Sequence, residues 1–267
     1  CTVTLAADKT ASEYDPMRSA TTPVVSGQRA SSWPAALDLI QSLSGLALGL
    51  FMWFHMGFVS SILISEDLFW IVARMFEGYF VFGKPYYWIV SIFVAVIAML
   101  LGLHALLALR KFPADWAQYR SMGKHTSRLR HGDTWLWLIQ VATGFALFFL
   151  APVHLYTMMS HPELIGPYES ADRVWTGNFW PLYLILLFAV ELHGTIGLYR
   201  LALKWGWLPS AATEAGRRRL MQAKWLLTAF FLILGLASLA AYIKLGIEHA
   251  PNAGEPYTPA WIQEGAQ

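Results

Sequence analysis

Cysteine is almost absent, with only Cys1 in a chain of 267 residues. That excludes an internal disulfide, a cysteine-ligated iron–sulfur cluster, a thiolate zinc site and covalent haem attachment through C-x-x-C-H, so any redox centre must use other ligands. Charge is scarce as well: 13% of the residues are charged and 56% hydrophobic, whereas soluble domains carry about a quarter charged residues. The charges gather in short stretches separated by long runs nearly free of them, the pattern of a polytopic membrane protein rather than of one or two soluble domains. A net charge of +2 is too small and dispersed for a nucleic-acid surface, and the aromatic residues lie inside apolar runs, so no nucleic acid is expected as partner. A dinucleotide-binding glycine fingerprint, an internal repeat and a low-complexity segment are also lacking.

What is present is five apolar stretches, roughly residues 34–65, 86–110, 133–160, 180–205 and 219–245. Each reaches the ~20 residues that cross a bilayer as a helix. The pattern predicts an all-α membrane protein with five transmembrane helices, spans I to V, in which spans I to IV form a four-helix bundle and span V is added to it. Segments such as Ile92 to Leu109 have no polar face, which a buried helix of a soluble protein would need. Spans I and III are longer than a perpendicular crossing requires and are expected to tilt or project. Counting Lys and Arg gives three in residues 1–33 and six in each of the loops after spans II and IV, against four in the remaining loops and the C-terminal end. The positive-inside rule then makes the N-terminus cytoplasmic and the C-terminus external. Three regions follow: a cytoplasmic N-terminal arm (1–33), rich in Ser, Thr, Ala and Pro, a transmembrane domain (34–245) and an external tail (246–267).

Of eight histidines, His125, His131, His161 and His249 fall in loops or tails and are read as solvated. His55, His104, His154 and His193 fall one in each of spans I to IV, where an ionisable ring is costly and is a functional candidate by default. Depth sorts them, at ~1.5 Å per residue. His55 and His154 lie within ~15 Å of the outer face, while His104 and His193 lie ~9 and ~18 Å from the inner one. Each pair comes from two spans of equal direction, which sit across a diagonal of an up-and-down bundle. Two imidazoles facing each other there bracket a flat metal complex: a haem with both axial positions filled, suited to electron transfer and, without a covalent motif, of type b. The competing reading is four histidines hydrogen-bonded to neighbouring helices or forming a proton relay. Gly57, Gly102 and Gly194 lie beside the ligands, and Gly45 and Gly49 form a small-xxx-small patch on span I; both sets allow close approach.

Haem propionates need cations or hydroxyl donors. Arg173 suits an outer haem and Lys204 an inner one, although each also reads as a topology signal. Glu191, two residues before His193, is the one ionisable group deep in its part of span IV and a candidate proton carrier; a structural hydrogen bond to a neighbouring helix is the alternative. Glu77 sits in the run Arg74-Met75-Phe76-Glu77-Gly78-Tyr79-Phe80. Aromatic surroundings plus one carboxylate are what a quinol head group needs, a slot for the ring and a base for its hydroxyl. An ordinary loop acid is the other reading, and Glu66 and Asp67 are nearby alternatives.

The stretches GLALGLFMWFHMGFVS, LHALLALRKFP, RHGDTWLWLIQ, FFLAPVHLYTMM and FAVELHGTIGLYRLALKWGW, spread between Trp33 and Glu248, resemble the dihaem cytochrome b membrane subunit of bacterial menaquinol:fumarate reductases and succinate:quinone oxidoreductases. The resemblance implies that His55 and His154 ligate a distal haem b and His104 and His193 a proximal one, in agreement with the depth sorting. It implies menaquinol oxidation at Glu77 and a transmembrane proton path through Glu191. Propionate contacts would fall on Gln41, Ser42, Trp137 and Lys204 for the proximal haem and on Arg173 for the distal one. Pro152, just before His154, could bend span III. Two cytoplasmic partners are implied, a flavoprotein with covalently bound FAD and an iron–sulfur protein, arranged with this subunit as a dimer of heterotrimers in the bacterial inner membrane. Lacking both cofactor motifs, the chain does not reduce fumarate alone. The same parts run backward make a succinate:menaquinone reductase. The cytochrome b of a hydrogenase or formate dehydrogenase is a rival, against which the ELHG and RKFP contexts count, and a haem-free anchor or proton carrier is another.

Overall fold

The computed structural model describes residues 31–112, 115, 117, 120, 132–208 and 213–265. Most of the expected N-terminal arm, His125 and His131 lie outside the described residues. The elements are α1 (Trp33–Val59), a 3-10 turn (Ser60–Leu63), α2 (Glu66–Phe76), α3 (Tyr79–Phe82), α4 (Tyr87–Leu109), α5 (Gly132–Ser160), a 3-10 turn (Pro162–Leu164), α6 (Pro167–Val174), α7 (Trp180–Trp205), α8 (Glu214–His249), a 3-10 turn (Ala250–Asn252) and α9 (Ala260–Gly265). No strand occurs among them.

Five helices, α1, α4, α5, α7 and α8, are long and apolar enough to cross a membrane and correspond to spans I to V. Their outward faces carry exposed side chains such as Met99, Leu106, Phe149 and Ile233. In lipid an apolar exterior has no penalty, and the helix satisfies its own backbone. α1 packs against α4 and α7, and α5 against α4 and α7, which closes a four-helix ring with α1 opposite α5 and α4 opposite α7. α8 lies outside this ring against α7 and α1. The glycine there explains the close fit: a Cβ on Gly235 would collide with Leu187 and come within 2.7 Å of Met56. Hydroxyls hold the same seam, with Ser238 donating to Ser60 at 2.9 Å and Tyr242 to the Val59 carbonyl at 3.1 Å.

The segments between spans at one end are themselves folded. Ser65 caps α2 by accepting from the Leu68 N–H at 3.0 Å, with Glu66 and Asp67 in the first turn and Arg74 in the last, the charge order the helix dipole favours. Gly78 (φ 75°) and Gly83 (φ 73°) turn the chain into and out of α3 through left-handed conformations open to glycine. Ile62, Phe69, Ala171, Val174 and Tyr242 form a buried cluster under these short helices.

Three expectations need correction. Span V begins earlier and ends later than 219–245, since Thr213 caps α8 through the Gly216 N–H and the helix runs to His249. The expected tail is anchored: Tyr257 donates to Asp67 at 2.7 Å, the Gly254 N–H to Asp172 at 2.8 Å, and Trp261 packs edge-on to Trp70. His249, read as solvated, is 7% exposed and pairs with Asp172 at 2.9 Å under the Tyr168 ring, because the extended α8 carries it beneath α6. His161 is exposed as expected. α5 continues through Pro152 without interruption.

Candidate cofactor and quinol site

The ring topology brings the four span histidines together as two pairs. His55 on α1 and His154 on α5 face each other with ring centroids 6.0 Å apart; His104 on α4 and His193 on α7 do so at 6.4 Å. Both pairs cross a diagonal. They sit at different depths: Ser44 of α1 touches the His104 ring, eleven residues before His55, a rise of about 16 Å along the helix.

Each deeper ring is oriented through one nitrogen. His193 Nδ1 lies 2.9 Å from the Gln140 carbonyl, and His104 Nδ1 lies 3.2 Å from the Ser44 hydroxyl, which itself donates to the Gln41 carbonyl at 3.0 Å. Engaging Nδ1 this way leaves Nε2 for a metal, the usual outer-shell arrangement of ligating histidines. Glycine makes the close approach of ring and helix possible at two positions across from the ligands. Beside Gly57, Gly102 and Gly194 there is open space, whereas a Cβ on Gly45 would come within 2.8 Å of His104 and one on Gly144 within 2.9 Å of His193. The other pair is held by aromatic packing: Phe51 stacks on His55 at 5.7 Å, and Tyr183 meets His154 edge-on at 5.6 Å. His154 Nδ1 is buried without a partner.

A b-type haem fits these residues. Two imidazoles bound through Nε2 on opposite sides of one iron, at ~2 Å each, put their ring centroids about 6 Å apart. Among the described residues no group of three or more His, Cys, Asp or Glu could hold a bare ion, so a two-imidazole site suits a metal whose other ligands come from a macrocycle. All four rings are half-buried rather than sealed in packed core.

The polar residues expected near propionates divide between the two ends. At the far end from α2, Lys204 donates to Ser42 at 3.0 Å and ion-pairs with Asp38, which also pairs with Lys111. Gln41 Oε1 is buried and unpartnered, and Trp137 is half-buried on α5. Asp38 was missed, although a lone carboxylate early in an apolar span is itself a signal. At the other end Arg173 gives three of its five N–H donors to protein: Tyr183 at 3.2 Å, the Leu164 carbonyl at 2.9 Å and Ser170 at 3.1 Å. It thus braces Tyr183 against His154.

Glu77 is no ordinary loop acid. As C-cap of α2 it is 0% exposed; Oε2 is bonded to Arg74 and Oε1 has no partner. Burial pushes its carboxyl above the usual range, against the opposing pull of Arg74. The Arg74 guanidinium that holds Glu77 lies 5.4 Å from the Trp70 ring and 6.0 Å from that of Tyr87. Glu66 and Asp67 are half-buried in the first turn of α2, Asp67 already bonded to Tyr257. Glu169 was overlooked. It is half-buried on α6 with Oε2 unpartnered, and its signal was only its place between two prolines and a helix. Glu191, 1% exposed, has both oxygens unpartnered. Below it Thr195 bonds back to the Glu191 carbonyl and accepts from Thr228 at 2.8 Å.

Comparison with known proteins places this architecture. The fumarate reductase cytochrome b subunit of Helicobacter pylori (strain ATCC 700392 / 26695) is 50% identical over 228 residues, covering 85% of this chain and 87% of the relative. The chain belongs to the fumarate reductase cytochrome b subunits. It is an electron-transport component of an oxidoreductase complex. The subunit of the same name from Wolinella succinogenes is 48% identical over 233 residues, 86% of this chain and 90% of that protein. The succinate dehydrogenase/fumarate reductase transmembrane subunit family matches residues 116–236. A shorter match, 33% identical over 98 residues, or 36% of this chain and 77% of the other, is to the succinate dehydrogenase hydrophobic membrane anchor subunit of Archaeoglobus fulgidus.

Proposed function

We propose that the chain oxidises menaquinol at the α2/α6 end and, holding two b haems one above the other, passes the electrons to partner subunits that reduce fumarate. The observation that carries this is the two facing imidazole pairs, 6.0 and 6.4 Å between centroids, on opposite helices of one bundle. In this reading the α2/α6 end and the C-terminus are external and the N-terminus cytoplasmic, as the uneven distribution of Lys and Arg supports.

A b haem bound by these imidazoles would supply reversible one-electron transfer. His55 and His154 would hold the outer one, His104 and His193 the inner one. Gln140 and Ser44 fix the inner imidazoles; Phe51 and Tyr183 fix the outer. Lys204, Ser42, Gln41 and Trp137 would receive the inner propionates, and Arg173 the outer. Glu77 is the base for the quinol hydroxyl, its free Oε1 buried and its partner Arg74 set against Trp70 and Tyr87. Glu191, without a counter-ion at membrane depth, carries protons that offset the charge movement.

The sequence has no FAD or iron–sulfur motif, so a flavoprotein with bound FAD and an iron–sulfur protein act on fumarate at the cytoplasmic side, the whole forming a dimer of heterotrimers. Lipid covers the exposed apolar faces. The names of the relatives support the fumarate-reducing direction over its reverse. The test is haem content and ligation. A pyridine haemochrome assay should find about two b haems per chain. His55→Ala and His154→Ala should each remove the same single haem signal, and His104→Ala and His193→Ala the other; loss patterns that cross between the pairs would refute the assignment.

A further inference from the structure

The outer site contains a second acid. α6 packs on α2, and Glu169 shares Arg74 electrostatically with Glu77. Its carboxyl curls over Gly166, where a Cβ would overlap it, and the nearby backbone N–H groups of Glu169 itself and of Tyr257 favour its charged form. One oxygen, Oε2, is left buried and unbonded. Glu77 likewise keeps one buried unbonded oxygen, Oε1, the other being held by Arg74. Arg74 thus acts on two carboxyls, the fully buried Glu77 to which it is bonded and the half-buried Glu169 on the helix packed against α2.

Oxidising a hydroquinone to a quinone breaks two O–H bonds and yields two electrons and two protons. A b haem held by His55 and His154 would accept the electrons one at a time; the protons must reach water. Glu77 cannot take both, because it has one free oxygen and no exposure. We propose that Glu169 is the second proton carrier of this site: it takes each proton from Glu77 and delivers it to the outer face, so that Glu77 is a carboxylate again before the second O–H bond breaks. The inference rests on the reading of Glu77 as the quinol base. The groups facing the pair are Arg74 from α2, Asp172 from α6 and the Tyr257 N–H from the segment before α9. Burial raises both carboxyls, and the Glu169 charge pushes Glu77 up further.

The test uses the assembled complex and a soluble naphthoquinol. Glu169→Gln should lower kcat for quinol oxidation roughly tenfold or more, leave KM and viologen-driven fumarate reduction unchanged, and be partly restored by Glu169→Asp or by added formate. Infrared titration of the Glu77 carboxyl supplies a readout independent of turnover. With a like charge removed, its titration should move to lower pH. Wild-type kcat together with an unmoved Glu77 titration overturns the proposal. So does a defect that neither Asp nor formate restores, or one accompanied by loss of haem, since either assigns Glu169 to the α6 cap alone. Glu77→Gln separates the two levels: if it retains quinol oxidation, the parent reading fails and this one with it. If it is inactive while Glu169→Gln behaves as wild type, only the second carrier is lost.

Discussion

Gly144→Ala tests the inner imidazole pair without touching a ligand. The added methyl would lie 2.9 Å from His193 Cε1 and 3.2 Å from Nδ1, while carbon atoms rest at about 3.5–4.0 Å. The ring must therefore withdraw by roughly 0.5–1 Å, and the 2.9 Å contact of Nδ1 with the Gln140 carbonyl holds it where it is. Overpacking of this kind costs about 1–3 kcal/mol. If the strain is released at the imidazole, its orienting contact lengthens past bonding range, and loss of such an outer-shell partner lowers metal affinity roughly 10–100-fold. The expected result is one b haem signal weakened or lost, the same one that His193→Ala removes, with the other intact. The assay is haem content and redox-difference spectra of purified complex. Two full haem signals with wild-type spectra in Gly144→Ala would refute the claim that this glycine exists to admit the ring.

Glu77→Gln should abolish quinol oxidation by about a hundredfold or more while viologen-driven fumarate reduction persists. In the wild type, the base form is required and burial raises the carboxyl above the ordinary 4.5; kcat/KM for quinol should therefore fall as pH drops through a limb lying above 4.5, and a limb at or below that value would contradict the buried-base reading. Tyr242→Phe removes the 3.1 Å bond to the Val59 carbonyl on α1. It should destabilise the subunit by about 0.5–1.5 kcal/mol, the net worth of one hydrogen bond, read as earlier thermal loss of haem absorbance, with no change in quinol KM; an unaltered melting profile would show that the bond is replaced.

Spans, their number and the pairing of the histidines were legible because they depend on one-dimensional quantities. Charge-free length sets the spans, and position along a span sets depth. His55 could only meet a ring at its own level, and up-and-down order puts equal-direction helices on a diagonal. The identity of the glycines was not legible for a geometric reason. On one helix, neighbours one or two residues from a histidine, such as Gly102 and Gly194, point about 100° or 200° away from it. The residue that must be small lies on the helix across, as Gly45 and Gly144 do, and which one that is depends on rotation about the helix axis. The same holds for Glu169 and His249, whose surroundings arise where α6, α2 and the C-terminal segment meet.

The two levels are also built differently, which bears on how each would keep its ligands in place. At the deeper level each imidazole has an oxygen at Nδ1 and a glycine against its carbon edge, so the ring is fixed by a directional contact inside a small clearance. At the other level neither device is present. Phe51 and Tyr183 hold the rings by their faces and edges, and Tyr183 is itself held by Arg173 from α6. The orientation of His154 thus depends on a short helix outside the bundle, the same helix that carries Glu169, while His55 is held by Phe51 of its own helix. The imidazole level nearest Glu77 is therefore coupled through His154 to the α2/α6 cap, while the contacts of the other level all come from the four-helix ring. A substitution that loosens α6 would reach Glu169 and His154 together and leave His104 and His193 where they are.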